Sequence, residues 1–395
     1  MICNMEGFSD LRIAHIIRDE KFPDTAYDVF EKVAPSCSDY YLPDKSKRIK
    51  HLKSILPIRV SKFSFLSSKF IKKLQSYDVV ILHGLNAFNL ELVARCGCRV
   101  DFLWVGMGFD YYDLIYKDSE DMLMPRTRSI VGAMNPKKKS CVKELKRFLR
   151  YIVYKGGRNK KKTIKNIKWF APVLESEYEM VRKMYHGESF PMYLDWNYGI
   201  SAKSFDGLKK YTAPNGNNIL IGNSATPTNN HSDVFELMNA HLDDKNVEII
   251  VPLSYGDERY REIIVEEGRR YFGKKFKPLI DFLEFSDYID IISTCSVVVM
   301  NHKRQQAGAN IASALYMGAR VFLNEENPFF EYYKKRGVFI NSTSDITHNP
   351  GILHSMLSGS ERNTNREILM GMRGWEQIER KTTQLLASVL KSCDG

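Results

Sequence analysis

Short apolar runs alternate with stretches of helical periodicity along the first half of the chain. Runs typical of buried strands cover residues 11–17, 79–82, 100–105 and 168–171. The last run is followed by a Glu-rich stretch at 174–185, which favours a helix. Strands separated by helix-length segments are typical of parallel sheets packed between helices. We therefore predict an α/β fold for this half.

The same alternation restarts after a polar stretch at 199–217, which contains Pro and Gly and is the candidate linker. Strands are predicted at 219–221, 247–252, 296–300 and 320–323, with a short extended segment at 278–283. Helices are predicted from residue 231 onwards and at 258–272, 287–294, 309–317 and 328–335. A long last helix at 366–390 is predicted to cross back to the first half.

The length of 395 residues exceeds the ~100–200 residues of one typical domain, so two domains are predicted. The predicted parts are an N-terminal Rossmann-like domain at 1–205, a C-terminal Rossmann-like domain at 206–372 and a C-terminal helix at 373–395. This helix is predicted to pack on the first domain. Doubly wound sheets bind ligands beyond the carboxyl ends of their strands. We therefore expect the two domains to face each other across a ligand cleft.

The hydrophobic content of 44% and charged content of 27% are those of a soluble globular protein. No apolar run reaches the roughly 18–20 residues of a membrane span. The first ten residues lack the features of a signal peptide. The seven cysteines are scattered, which indicates reduced thiols in the cytoplasm.

The net charge of +11 is unevenly spread. Residues 45–73 hold ten Lys or Arg and no acid, and residues 137–168 hold fourteen and a single acid, Glu144. Both segments also contain apolar residues, and a basic face beside an apolar face suits an anionic membrane surface. A solvated lysine-rich surface is the alternative. Nucleic-acid binding is not expected, since no RNP, zinc-finger or KH signature occurs.

Three loops of the second half carry candidate chemistry. Gly222, Asn223, Ser224 and Thr226 follow a strand and precede a helix, where backbone N–H groups can bind phosphate. The alternative is a turn that only caps the helix.

The second loop is dense in side-chain donors. It contains Asn301, His302, Lys303, Arg304, Gln305, Gln306 and Asn310, with Gly308 allowing a close backbone approach. Arg304 can hold a diphosphate in a forked geometry. A solvated basic loop is the alternative.

The third loop, 324–329, places Glu326 and Asn327 after a strand, where such groups bind ribose or sugar hydroxyls. An N-cap with first-turn acids is the alternative. In the first half, His83 and Asp110 each follow a strand, and either could act as a general base unless its role is structural. No metal-ligand cluster is seen, so no metal is expected.

Several segments, in this order, resemble glycosyltransferase family 56, which transfers 4-acetamido-4,6-dideoxygalactose to a lipid-linked disaccharide. The resemblance is carried by six motifs of the second half: Ile-Leu-Ile-Gly222-Asn223-Ser224, Glu248-Ile-Ile-Val-Pro252-Leu-Ser-Tyr255, Leu283-Glu284-Phe285, Arg304-Gln305-Gln306-Ala-Gly308, Leu323-Asn324-Glu325-Glu326-Asn327-Pro328-Phe329 and Gly374-Trp375. In the first half, Phe102–Val105 with Gly106, Asp110 and Tyr111 is similar, as is His83-Gly84.

The resemblance implies a two-domain GT-B enzyme with a thymidine diphosphate sugar as donor. The donor-site residues it implies, together with their neighbours in the same loops, are Gly222, Asn223, Ser224, Thr226, Tyr255, Phe285, His302, Gln305, Gln306, Gly308, Asn310, Glu326 and Asn327. Arg304 would stabilise the departing diphosphate. Asp110 is the first candidate for the general base and His83 the second.

The expected function is sugar transfer to a polyprenyl-diphosphate-linked oligosaccharide in bacterial surface polysaccharide (O-antigen or common antigen) synthesis. The enzyme would work on the cytoplasmic face of the inner membrane. Another GT-B activity, such as sugar-nucleotide epimerisation, is the first alternative. A non-enzymatic basic protein that binds membrane or nucleic acid is the second.

Overall fold

The computed structural model describes residues 7–20, 22–44, 48–134, 159–198, 207–242 and 246–393. Most of the second basic segment, up to residue 158, and part of the candidate linker, 199–206, lie outside these ranges. In the described part, no helix is sufficiently long and apolar to span a membrane.

The described strands fall into two parallel sheets. They are β1 (Ile13–Ile16), β2 (Ser38–Leu42), β3 (Ile58–Arg59), β4 (Val79–His83), β5 (Phe102–Val105), β6 (Trp169–Ala171), β7 (Met192–Tyr193), β8 (Asn218–Ile221), β9 (Ile249–Pro252), β10 (Phe276–Leu279), β11 (Cys295–Met300), β12 (Arg320–Leu323) and β13 (Asn341–Ser342). Every neighbouring pair is parallel.

The described helices connect these strands. They are α1 (Phe22–Val33), α2 (Lys62–Phe65), α3 (Ser68–Leu74), α4 (Ala87–Cys96), α5 (Tyr112–Ile115), α6 (Pro125–Ala133), α7 (Lys160–Ile164), α8 (Glu175–Lys183), α9 (His231–His241), α10 (Glu258–Phe272), α11 (Phe285–Ser293), α12 (Gly308–Tyr316), α13 (Pro328–Lys334), α14 (Thr343–His348), α15 (Gly359–Arg373) and α16 (Trp375–Cys393).

Both sheets reverse their winding at one point. The first has the order β3-β2-β1-β4-β5-β6-β7 and the second the order β10-β9-β8-β11-β12-β13. The chain therefore winds outward in one direction from β1 and β8, then in the other from β4 and β11. In such sheets the loops after the two central strands diverge and leave a crevice for a ligand. The predicted α/β class with two Rossmann-like sheets is confirmed.

The chain divides into two compact units. The first comprises Met1–Ile115, Lys138–Ser201 and Arg373–Gly395, and the second comprises Tyr116–Lys137 and Ala202–Met372. The predicted first domain, 1–205, thus contains a segment that packs with the second unit. The reason is local, because the Asp233 carboxylate on α9 accepts hydrogen bonds from the backbone N–H groups of Arg126 and Thr127 at 2.9 and 3.0 Å.

The C-terminal helix α16 packs on the first sheet's helix layer, as predicted. Its buried residues Ile378, Leu385, Leu386 and Val389 join the core cluster that contains Phe30. The single long helix predicted at 366–390 is instead two helices separated at Gly374. Glycine has a low helix propensity, since the unfolded backbone loses most entropy there.

We predict that Leu386→Ala lowers the free energy of unfolding by about 2–5 kcal/mol. The side chain is fully buried between α16 and the first unit's core, so truncation leaves a cavity. Urea denaturation measures the change. The exposed neighbour Gln384→Ala on the same helix should stay within about 0.5 kcal/mol. Equal losses in the two variants would contradict this packing.

Candidate functional site

The candidate site begins at the turn after β8, the first strand of the second sheet's reversal. Gly222 has φ +69°, and a Cβ atom there would lie 2.6 Å from His231 Nε2 and 2.8 Å from Asn229 Oδ1. A side chain is therefore excluded both by the left-handed backbone and by the packing. This glycine brings the backbone of the β8 turn against the start of α9.

Asn229 connects the loops that follow β8 and β11. Its Oδ1 accepts from the backbone N–H of Asn223 at 2.9 Å and contacts His302 Nε2 at 2.8 Å. Its Nδ2 donates to the carbonyls of Ser224 and Thr226 at 3.0 and 2.9 Å. The residue is fully buried. One amide side chain thus holds the two loops of the switch point in a fixed relation.

This network fixes the protonation of His302. Because Asn229 Oδ1 is an acceptor, His302 Nε2 carries the hydrogen and Nδ1 carries a lone pair. Nδ1 is buried and has no hydrogen-bond partner among the described residues. Burial, with smaller effects from Arg304 and His231, holds the pKa of His302 well below its usual value. The imidazole is therefore neutral at pH 7 and presents an acceptor.

Asn223 and Gln306 form a second link between the same loops. Asn223 donates to the Tyr255 hydroxyl at 2.9 Å and accepts from Gln306 Nε2 at 2.9 Å. Gln306 Oε1 in turn accepts from Thr228 Oγ1 at 2.7 Å. We call Asn223, Asn229, His302 and Gln306 the amide cluster. The Tyr255 side chain beside it is exposed.

The loop between β11 and α12 carries the positive charge of the site. Lys303 Nζ lies 2.8 Å from a Glu326 carboxylate oxygen, and the half-buried Arg304 donates to the carbonyl of Gln305 at 3.1 Å. Ala307 adopts the left-handed conformation, with φ +57°, immediately before α12. The loop therefore places two cations beside the amino end of a helix, where anions bind favourably.

Two predicted site residues have packing roles in the structure. A Cβ atom on Gly308 would lie 2.7 Å from the Phe329 ring, so its close approach is to this ring. Asn310 donates to the Tyr288 hydroxyl at 3.2 Å.

In the β8 turn, Thr226 Oγ1 accepts from Ser224 at 3.0 Å. Phe285 is the first residue of α11.

The loop after β12 combines a capping role with an unsatisfied donor. Asn327 Oδ1 accepts from the N–H of Phe329 at 3.0 Å and caps α13, which is the structural alternative raised for this loop. Its Nδ2 is buried without a partner in the described part of the chain. Glu326 is half exposed and paired with Lys303. The loop thus offers an amide donor and an acid next to the β11 loop.

In the first unit, His83 ends β4 and contacts β1. Its Nε2 lies 3.0 Å from His15 Nδ1, and its Nδ1 is hydrogen-bonded to the Tyr198 hydroxyl. Burial lowers the pKa of His83 to about 3, so the ring is neutral at pH 7. Both nitrogens of His83 have partners within the unit, whereas His15 Nε2 is buried without one among the described residues.

Asp110 organises the loops that follow β4 and β5. Its carboxylate accepts from the N–H of Leu85 and the indole N–H of Trp104, each at 2.7 Å, and from the N–H of Met107 at 2.9 Å. The side chain is buried, and burial raises its pKa against the opposing effect of these bonds. Asp110 therefore has a positioning role in this unit, whatever else it does.

Solved structures with the same fold cover nearly the whole chain. Sucrose-phosphate synthase from Thermosynechococcus elongatus gives a TM-score of 0.63 at 12% identity, covering 97% of this chain and 100% of that one. A glycosyltransferase from Rickettsia africae gives 0.63 at 13% identity, covering 96% and 99%. Anabaena HepE, in complex with UDP and glucose, gives 0.62 at 9% identity, covering 96% and 100%. The predicted GT-B fold is confirmed.

A family model decides the class of activity. The model described as 4-alpha-L-fucosyltransferase, glycosyl transferase group 56, matches residues 200–353. Residues 200–353, less than half of the chain, are thus similar to glycosyltransferase group 56. The matched range contains the amide cluster and the loops after β11 and β12, so the resemblance seen in the sequence is confirmed. The chain is thus a glycosyltransferase, and the non-enzymatic alternative is wrong.

The residues that join the loops of this glycosyltransferase were not predicted from its sequence. Asn229 and Asn230 precede α9, and Asn230 has φ 54°, a left-handed conformation that asparagine tolerates better than most residues. The Asn-Asn pair at a helix start was the available signal. His15 was also missed as a partner of His83, although a histidine within the apolar run of β1 is unusual. Across the described residues, no three His, Cys, Asp or Glu side chains are grouped as metal ligands.

We expect Gly222→Ala to lower the free energy of unfolding of this glycosyltransferase by at least about 2 kcal/mol, through backbone strain and overlap with His231. The matched control is Gly371→Ala on α15. A new Cβ atom at Gly371 would have no neighbour within 4 Å. The free energy of unfolding of this variant should therefore rise by about 0.5–1 kcal/mol. Chemical denaturation of both variants tests the pair, and an unaffected Gly222→Ala protein would count against the geometry of the β8 turn.

Asp110→Asn should be destabilised by about 1–3 kcal/mol, because an amide N–H would then face a backbone or indole N–H donor. The neighbouring Asp113 is exposed and forms one ion pair with Lys160. Asp113→Asn should therefore change the free energy of unfolding by less than about 1 kcal/mol. Similar denaturation midpoints for the two variants would show that the three hydrogen bonds of Asp110 are unimportant.

Proposed function

We propose that this glycosyltransferase transfers a deoxy or acetamido-deoxy sugar from a thymidine diphosphate donor to a polyprenyl-diphosphate-linked oligosaccharide. The observation that carries the donor half is the amide cluster beside Lys303 and Arg304, at the switch point of the sheet that matches group 56. The family description names fucosyl transfer, and fucose is a 6-deoxy sugar.

The cluster has the chemistry of a nucleotide-sugar site. The buried acceptor His302 Nδ1 and the buried donor Asn327 Nδ2 lack partners among the described residues, and polar groups of a ligand would satisfy them. The exposed ring of Tyr255 supplies a face for a planar base or a sugar. Glu326 and Asn327 are placed to bind hydroxyl groups.

Charge is supplied where the reaction needs it. The glycosidic bond to the diphosphate breaks as the sugar is transferred, so negative charge develops on the departing phosphate. Arg304, Lys303 and the amino end of α12 supply the opposing positive charge in this proposal. With these cations in place, we propose a reaction without a bound metal ion.

The acceptor half rests on the family resemblance and on the basic composition of the first unit. A polyprenyl diphosphate lies in a bilayer, and the ten basic residues at 45–73 suit an anionic membrane surface. We place the enzyme on the cytoplasmic face of the bacterial inner membrane, in O-antigen or common-antigen synthesis. Asp110 remains the first candidate for the base that takes the acceptor proton and His83 the second.

The donor is tested by thermal or chemical denaturation with dTDP-, UDP- and GDP-sugars. A donor at roughly 100 times its dissociation constant adds about 2.7 kcal/mol to the free energy of unfolding. We expect this stabilisation from dTDP-sugars and less from the others. Stabilisation by none would refute the proposal. Conversion of the donor alone into another sugar nucleotide would favour the epimerase instead.

Arg304→Ala should lower kcat for transfer to a lipid-linked acceptor by about 10²–10³, because it removes charge opposite the leaving diphosphate. The control is Arg336→Ala, an exposed arginine of the same unit that stacks on Tyr332. It should retain the parent rate. Turnover by Arg304→Ala at the parent rate would remove Arg304 from the reaction.

A further inference from the structure

Three large apolar side chains stand in solvent at the β3 edge of the first sheet. Leu56 is 98% exposed, Phe63 is 83% exposed and Ile58 is 41% exposed. Single exposed apolar residues are common on protein surfaces, but several within one short stretch mark an interaction site. We call Leu56, Ile58 and Phe63 the apolar edge.

The chain before the apolar edge is held by two carboxylates. Asp19 accepts from the backbone N–H groups of Lys50, His51 and Leu52 at 2.8, 2.8 and 3.2 Å. Asp24 accepts from those of Lys53 and Ser54 at 2.8 and 3.1 Å. The side chains of Leu52 and Ile55 are buried against Ile17 and Tyr40. Leu56 is therefore presented outward by an anchored backbone.

The chain after Leu56 is anchored as well. Ile58 pairs with Tyr41 of β2, and the Ser61 side chain caps α2 by accepting from the N–H of Ser64. Phe65 on α2 is fully buried, whereas Phe63 two residues earlier is exposed. The exposure of Phe63 thus follows from a helix whose other aromatic residue fills the core.

The stretch of chain that carries the apolar edge is basic, and the carboxylates of Asp19 and Asp24 that hold it come from outside this stretch. No Asp or Glu occurs between residues 45 and 77, and Lys50, Lys53, Lys62 and Lys69 are exposed along this stretch. Each basic group near an anionic bilayer adds to binding, and exposed apolar side chains add more when they enter the acyl boundary. An acidic protein surface would match the charge but offers less for Leu56 and Phe63.

We propose that the apolar edge inserts into an anionic lipid bilayer, with the surrounding lysines on the headgroups. This deepens the proposed function and rests on it, because it identifies the surface by which the first unit reaches a lipid-linked acceptor. The two aspartate-held backbone segments make the surface preformed, so little chain ordering accompanies binding.

The test is flotation of the full chain with vesicles of phosphatidylglycerol and phosphatidylcholine. We expect binding to mixed vesicles, weaker binding at high salt, and little binding to pure phosphatidylcholine. The double variant Leu56→Ser with Phe63→Ser should reduce partitioning at least about tenfold, given the transfer free energy of two large apolar side chains.

Phe339→Ser is the matched control, since it removes an exposed aromatic residue from the second unit. It should float like the parent. Equal binding to neutral vesicles, or parent-like flotation of the double variant, would overturn the proposal. Stabilisation by dTDP-sugars without vesicles is scored separately in each variant. If no dTDP-sugar stabilises the protein while flotation is unchanged, the proposed function is refuted and the proposed lipid binding by the apolar edge is retained.

Discussion

The side-chain amide of Asn229 is the interaction on which the candidate site depends. It satisfies the backbone of the β8 turn and the imidazole of the β11 loop at once, at the one point where the second sheet reverses its winding. The loops after two adjacent parallel strands run in different directions, so nothing in the sheet itself joins them. A buried amide does so with both of its polar atoms used.

The first unit uses a carboxylate to join two neighbouring loops, beside its switch point and not at it. Asp110 joins the loops after β4 and β5 through two backbone donors and one indole. Next to it, the buried pair His15 and His83 connects β1 to β4 across that sheet's own switch point. In both units, buried polar side chains replace the ladder hydrogen bonds that end with the strands.

We propose two different roles for the basic charge of the chain. Lys303 and Arg304 lie at the amino end of a helix, and Lys303 pairs with Glu326 of the loop after β12. The lysines near Leu56 and Phe63 lie in a stretch without acidic residues, next to exposed apolar side chains. The surroundings of the positive charge, more than its amount, distinguish a phosphate site from a bilayer surface.

The sequence alone determined the two parallel sheets and the loops that carry the candidate site. Apolar runs, the amphipathic pattern of α10 and the resemblance to group 56 are local properties, readable without knowing which strands are neighbours. The tertiary structure decided which polar groups meet: Asn229 with His302, His15 with His83, Asp110 with Trp104. The first two pairs follow from strand order, which places β8 beside β11 and β1 beside β4 although long stretches of chain separate them. The third pair forms because the loop after β5 folds back onto its own strand.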